Sequence, residues 1–303
     1  MIVVATNPDG GQHVAQAAWL DGADPGNAPD DALGDARLEH VERLAQAYLD
    51  IQYQALMAGE RELRAGQLDV VHPTRVATRR YRSVLREIRG LLDPSSATVL
   101  DEGLRWYARL LGDVRDVQVL QDTLDDELDT LPDEAVTRAA RAHADAYLAR
   151  RLEAASGRLR EGLDKRRYVK LSDLAGQWHG GMPFLDDLHP SSPEALTFLH
   201  RAERRFQRRL DAAVAAGRPD LLMHEARKSG KRARYVAEMA SPALGERADE
   251  TIRRMTAFQN ELGTRQDRAV ARDALTELAA EPAAHRDGTV VVFDALRDRL
   301  SRQ

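Results

Sequence analysis

His72-Pro-Thr-Arg-Val-Ala-Thr-Arg-Arg-Tyr-Arg82 decides how this chain folds. Set on a helix at about 100° per residue, with His72 at zero, Arg75, Arg79, Arg82, Arg86 and Arg89 fall between about 260° and 340°. Ala77, Tyr81, Val84, Leu85 and Ile88 fall between about 120° and 220°, nearly opposite. One face therefore packs on a core and the other carries a ladder of guanidinium groups. Arg80 lies off the ladder, near 80°, where it faces a neighbouring helix or flanks a groove.

The stretch returns 152 residues later as His224-Glu-Ala-Arg-Lys-Ser-Gly-Lys-Arg-Ala-Arg234. His, Arg, a base, Arg and Arg recur at positions 0, 3, 7, 8 and 10 of both copies. A second landmark, Leu111-Gly112 with Asp116 and Val119, returns 151 residues on as Leu262-Gly263 with Asp267 and Val270. Two landmarks in one order at nearly one shift indicate a tandem duplication of a helical unit of about 120–150 residues. Side by side, the copies would carry their basic helices to related places about a pseudo-twofold axis. His224, Arg227, Lys231 and Arg234 keep the ladder in the second copy, and Arg232 lies off it as Arg80 does. Glu238 stands where Arg86 stands in the first copy, so the second ladder is shorter.

Most charge runs are solvated helix faces with acids at i±4. Here the first basic helix holds only Glu87, which lies off the ladder. Like charges in register cost a helix stability, so the pattern points to a ligand or an acidic partner surface. The net charge of −5 conceals segregation. Residues 1–36 contain six Asp and no Lys or Arg, 72–89 hold six Arg against one acid, and 199–210 hold five Arg against one Glu. The local field follows such clusters rather than the sum. Arg201, Arg204, Arg205 and Arg208 share one helix face, and either line the same groove or pair with Glu203 and nearby acids.

Aromatic residues make up only 5% of the chain, while Ala, Leu, Arg, Asp and Glu dominate, which favours helices. Helices are expected near 37–58, 73–91, 95–111, 113–130, 133–163, 167–179, 193–215, 219–240, 245–262, 265–280 and 289–302. Gly112 and Gly263 read as helix stops, and Pro73, Pro132 and Pro193 as first-turn prolines. Asp116 and Asp267 would then follow a helix end, as caps or interhelical partners of the arginines. There is no cysteine, which excludes disulfides and thiolate metal sites. No apolar run approaches the roughly 18 residues of a membrane span, and the start MIVVATNPDGG lacks the basic region of a signal peptide. A cytoplasmic protein with no membrane partner is expected.

No HExxH, Walker A loop, GxGxxG or GxSxG occurs, so no catalytic residue, metal ligand or cofactor is named. His72 precedes Pro73 at the start of its helix, where free N–H groups favour anions. The positive surroundings favour its neutral imidazole. It reads as a hydrogen-bond donor to phosphate, a capping or buried structural histidine, or a phosphoacceptor. Few aromatics lie on the basic faces and Tyr81 points to the core, which disfavours single-stranded nucleic acid. Duplex binding through phosphates alone, a phosphoanhydride-processing enzyme and an adaptor for an acidic protein stay as alternatives.

VHPTRVATRRYRSVLR (71–86) and MHEARKSGKRARYVAE (223–238), with the two Leu-Gly···Asp landmarks, resemble the CHAD family, the conserved histidine α-helical domain. The resemblance covers about residues 37–303. It implies an all-α fold of two four-helix-bundle-like halves, about 37–180 and 190–303, related by pseudo-twofold symmetry. Residues 1–36 would precede them as a flexible, disordered acidic tail. It also implies a central basic groove that binds inorganic polyphosphate, with location on polyphosphate granules and other granule proteins as further partners. Carried over residue by residue, the family's positions fall on His72, Arg75, Arg79, Arg80, Arg82, His224, Arg227, Lys228, Lys231, Arg232 and Arg234. Arg86 and Arg89 extend the ladder, and Arg201, Arg204, Arg205 and Arg208 are additional candidates. Many relatives carry a fused triphosphatase-type CYTH domain. Its Glu-x-Glu-x-Lys motif does not occur here, so a stand-alone binding protein without hydrolase activity is expected.

Overall fold

Apolar stripes at helical spacing organise the chain into helices joined by short turns. The computed structural model describes residues 41–185 and 195–302, and the side chains of all of these but 260–266. The acidic tail 1–36, residues 37–40 of the first expected helix and the Pro190–Pro193 segment lie outside the described residues. Ten α-helices are described: α1 Val41–Arg64, α2 Val71–Glu87, α3 Pro94–Leu128, α4 Ala135–Leu163, α5 Arg166–Gly180, α6 Ala195–Ala215, α7 Asp220–Leu244, α8 Glu246–Ala280, α9 Pro282–Arg286 and α10 Val290–Arg302. A 3₁₀ turn, Arg89–Leu91, follows α2. Among the described residues the β structure is one isolated bridge between Leu92 and Phe184. No described helix is long and apolar enough to cross a membrane.

Two expected breaks are absent. The segments predicted as helix pairs around Gly112 and Gly263 are single helices, α3 and α8, each of 35 residues. An interior glycine costs a helix about 1 kcal/mol relative to alanine. In α3 that cost is outweighed by a continuous buried stripe that includes Leu104, Leu111, Val114, Leu120 and Leu124. Gly112 serves instead as a seat for a side chain, because a Cβ there would lie 3.6 Å from Arg75 Nε. Asp116 and Asp267 consequently lie inside helices and cap nothing.

α1 runs six residues past its expected end, to Arg64, and the other boundaries move by about a turn or less. Pro73 is in the first turn of α2 as expected, but Pro132 precedes α4, whose N-cap is Glu134. The regular part of the first ladder ends at Arg86, since Arg89 belongs to the 3₁₀ turn. α7 continues through Pro242 to Leu244 and stops at Gly245, whose φ of +47° suits glycine. α3 opens on Pro94 behind Asp93, whose carboxylate accepts the Ser96 N–H at 2.8 Å.

Most consecutive helices pack on one another, and α2 also packs on α7 and α3 on α8. These are the helices that carry the repeated landmarks. α3 and α8 begin 152 residues apart, at 94 and 246, the same shift as the basic motif. α1 and α2 approach closely, since a Cβ on Gly59 would fall 2.0 Å from Thr74 Oγ1. One large apolar cluster joins α1, α2, α5, α6 and α7 to parts of α3, α4 and α8. A smaller one is built from the other ends of α3, α4 and α8 with α9 and α10. The long helices thus run through both clusters, with α3 packed on α2 and α8 on α7.

Candidate anion-binding site

The apolar sides of α2 and α7 are buried as their angles require: Ala77, Tyr81, Val84 and Leu85 on one, Ala226, Ala233, Val236 and Ala237 on the other. The two ladders are left to converge where the helices meet. Lys231 sits at the centre of that convergence. Burial, then Arg79, Arg227, Arg75 and Arg234, push its ammonium from the ordinary 10.5 down to about 7. Arg75 is also lowered, first by burial and then by Arg79, against a smaller opposing pull from Asp116. Arg75, Arg79, Arg227 and Lys231 have no ion-pair partner among the described residues.

The histidines border this cluster and are exposed. His72 is lowered from its usual range by partial desolvation, Arg115, Arg79 and Arg75. His224 is lowered by partial desolvation, Lys228, Arg227 and Lys231, against Glu225. Both are held toward the neutral imidazole, which the sequence led us to expect of His72. Asp116 is raised by partial desolvation and by Asp113 and Asp267, against Arg75 and Arg115. The repeated aspartates therefore feel each other across the α3–α8 contact, beside Arg75.

The rest of the predicted set is engaged by acids from neighbouring helices. Arg82 and Arg86 both donate to Asp101 of α3 at 2.8 Å, and Arg89 donates to Thr98. Arg80 pairs with Glu238 of α7 at 2.9 Å, so it faces a helix rather than open solvent. Glu238 also accepts from Tyr48 at 2.8 Å and lies 3.6 Å from Arg234. Lys228 is exposed and pairs with Glu225 at 3.0 Å. Arg232 is half-buried, with Glu87, Arg86, Arg209 and Arg205 around it.

Of the α6 candidates, Arg205 donates to Glu87, an acid with only 4% of its side chain exposed. Arg201 lies over the Phe198 ring, and Arg201, Arg204 and Arg208 are exposed. Glu203 is taken by Arg247 and Arg254 of α8. The predicted set thus divides into a convergent group, Arg75, Arg79, Arg227, Lys231 and Arg234 with the two histidines, and a group held by carboxylates. Sequence reasoning missed Arg115, whose charge acts on His72, and Asp101, which binds two ladder arginines. Arg115 lies one residue before the Asp116 landmark, a signal that could have marked it. Nothing in the spacing from Arg82 to Asp101 could have shown their contact. Among the described residues no cluster of three or more His, Cys, Asp or Glu could hold a metal ion.

A family model, the CHAD domain, matches residues 47–276. Two Mycobacterium tuberculosis proteins are each 33% identical over 237 residues, 75% of this chain: the uncharacterized protein MT2285 of strain CDC 1551 / Oshkosh and the uncharacterized protein Rv2226 of strain ATCC 25618 / H37Rv. The chain spans 44% of the length of each. Among solved structures, PptA from Streptomyces chartreusis superposes with a TM-score of 0.66 at 16% identity, covering 88% of this chain and all of that one. The CHAD domain from the plant Ricinus communis gives 0.65 at 23% identity, covering 87% and 86% of the two chains. These likenesses are of fold, and the all-α architecture is common to them. The matched residues include both basic helices and both Leu-Gly···Asp landmarks, and this chain belongs to the CHAD domain family.

Proposed function

We propose that the chain binds linear inorganic polyphosphate where α2 meets α7, as a cytoplasmic, granule-associated binding protein and not as an enzyme. One observation carries the reading: four arginines from two helices converge around Lys231, and four of these five cations lack an ion-pair partner among the described residues. Gathering like charges in a desolvated place is unfavourable for the free protein, and a polyanion offsets that cost. Arginine suits the task, since its planar fork matches phosphate oxygens and keeps its charge when partly buried. Tyr81 and Tyr235 are fully buried, so neither offers a ring on which a base could stack.

Arg82 and Arg86 must leave Asp101 before they can serve a ligand, so the convergent group forms the centre and the rest a weaker periphery. From Arg75 to Arg86 the helix rises about 17 Å, much longer than a triphosphate. Affinity is therefore expected to climb steeply with polyphosphate length until centre and periphery are filled, through effective concentration and counterion release. Calorimetry with chains of graded length checks this. A plateau already reached at tripolyphosphate would refute an extended site. Incubation with or without magnesium is expected to release no phosphate.

A further inference from the structure

The arginines of the paired helices are held by two kinds of acceptor. Arg80, Arg82 and Arg86 are held by carboxylates, which cancel their charge. Arg79 is held by a phenol: its Nε donates to the Tyr235 hydroxyl at 2.8 Å, from α2 across to α7. Tyr235 is fully buried, and the same hydroxyl lies 3.4 Å from Arg234 Nη2. Its ring stands under the Arg234 guanidinium at 5.1 Å and the Arg80 guanidinium at 5.9 Å. One side chain thus touches arginines of both copies of the motif.

A neutral acceptor does what a carboxylate cannot. It satisfies the Nε–H of a partly buried guanidinium and fixes the plane of the fork, while the positive charge stays available. With Nε committed, the two Nη groups are the donors left for a ligand, and they enter a cluster that includes Arg75, Arg227 and Lys231. Burial alone explains why Tyr235 needs some partner. It does not explain why that partner is a ladder arginine on the other helix.

We propose that Tyr235 is a positioning residue, aiming the Arg79 guanidinium at the anion while leaving its charge unspent. The proposal rests on the polyphosphate reading above, and a double-mutant cycle separates the two. Tyr235→Phe keeps the ring and removes the acceptor. Long-chain polyphosphate affinity is expected to fall about three- to tenfold in Tyr235→Phe, the size of one ordinary hydrogen bond. In an Arg79→Ala background the same change is expected to cost less than about twofold, and in an Arg227→Ala background its full effect. A purely structural tyrosine would show the same loss in both backgrounds, which overturns the proposal. Failure of the unmutated protein to bind polyphosphate overturns the ligand reading instead. If the phenylalanine variant does not fold, hydrogen exchange at Arg79 Nε–H in the unmutated protein decides. Protection that persists on adding polyphosphate supports the positioning role, and protection lost on binding refutes it.

Discussion

Changing Arg75 and Arg79 together to alanine is expected to weaken long-chain polyphosphate binding on the order of 100-fold, from about 1–2 kcal/mol per charged contact. Arg75→Ala alone is expected to leave the free protein no less stable, with a melting temperature that holds or rises. The sign follows from the site. Burial and Arg79 both act against the charge on Arg75, so folding works against this cation until a ligand arrives. Arg82→Ala with Arg86→Ala should behave in the opposite way. Both arginines donate to Asp101, whose side chain is only 14% exposed. Partial burial works to raise that carboxyl, and Arg86 and Arg82 outweigh it. Removing both leaves a desolvated carboxylate alone, so the melting temperature should fall while affinity changes little. Lys231→Ala with Arg234→Ala should weaken binding less than the Arg75 and Arg79 pair, because Arg234 is already shared with Thr256, Tyr235 and Glu238. Melting curves and calorimetry on Arg75→Ala and the three pairs check the pattern. Unchanged affinity in Arg75→Ala with Arg79→Ala would remove the site assignment.

The second large effect is on pH. The ammonium of Lys231 is pushed down to about 7, by burial and by Arg79, Arg227, Arg75 and Arg234. A bound polyanion favours the charged form, so above pH 7 binding must take up a proton at Lys231. Affinity is expected to fall by up to about tenfold per pH unit between pH 7 and 9. Lys231→Met should bind more weakly at pH 7 and show little slope in that window. Stability should move the other way. The unfolded chain holds this proton up to the ordinary lysine value near 10.5, the folded one only to about 7. The unfolded state therefore binds more protons between those limits, and the Lys231 contribution to stability rises with pH across them. His72 and His224 are lowered from 6.5, so they titrate below this window and cannot produce its slope. Equal slopes for the unmutated protein and Lys231→Met would contradict the placement of Lys231 at the centre.

The all-α fold and the two basic helices were legible because helical periodicity separates a buried stripe from a charged one within a single segment. The buried Tyr81, Val84 and Leu85 lie where their angles placed them. The helix ends were less legible. Gly112 has the local signature of a stop, yet α3 runs through it because tertiary burial on both sides exceeds the local cost. The ladder was legible as a set of cations but not as a division between convergent and carboxylate-held members. That division depends on Asp101, Glu87 and Glu238, which reach Arg82 and Arg86, Arg205 and Arg80 from other helices. Contacts between helices leave no mark in the spacing of either partner. Tyr235 escaped notice for the same reason: at about 20° it stands beside the ladder and not on the apolar stripe, and the Arg79 hydrogen bond appears only when α7 is set against α2.

The polyphosphate reading is tested most directly by parallel calorimetric titration with long-chain polyphosphate, duplex DNA and ATP, at matched phosphate concentration and salt. The convergent cations are partly buried on two packed helices; on the proposed function a thin flexible chain follows them, whereas a rigid duplex presents its phosphates only from outside. Polyphosphate is expected to bind most tightly, with the steepest salt dependence, while ATP competes poorly and DNA binds only weakly at low salt. DNA binding as tight as that of long polyphosphate would contradict the account and assign the basic helices to nucleic acid.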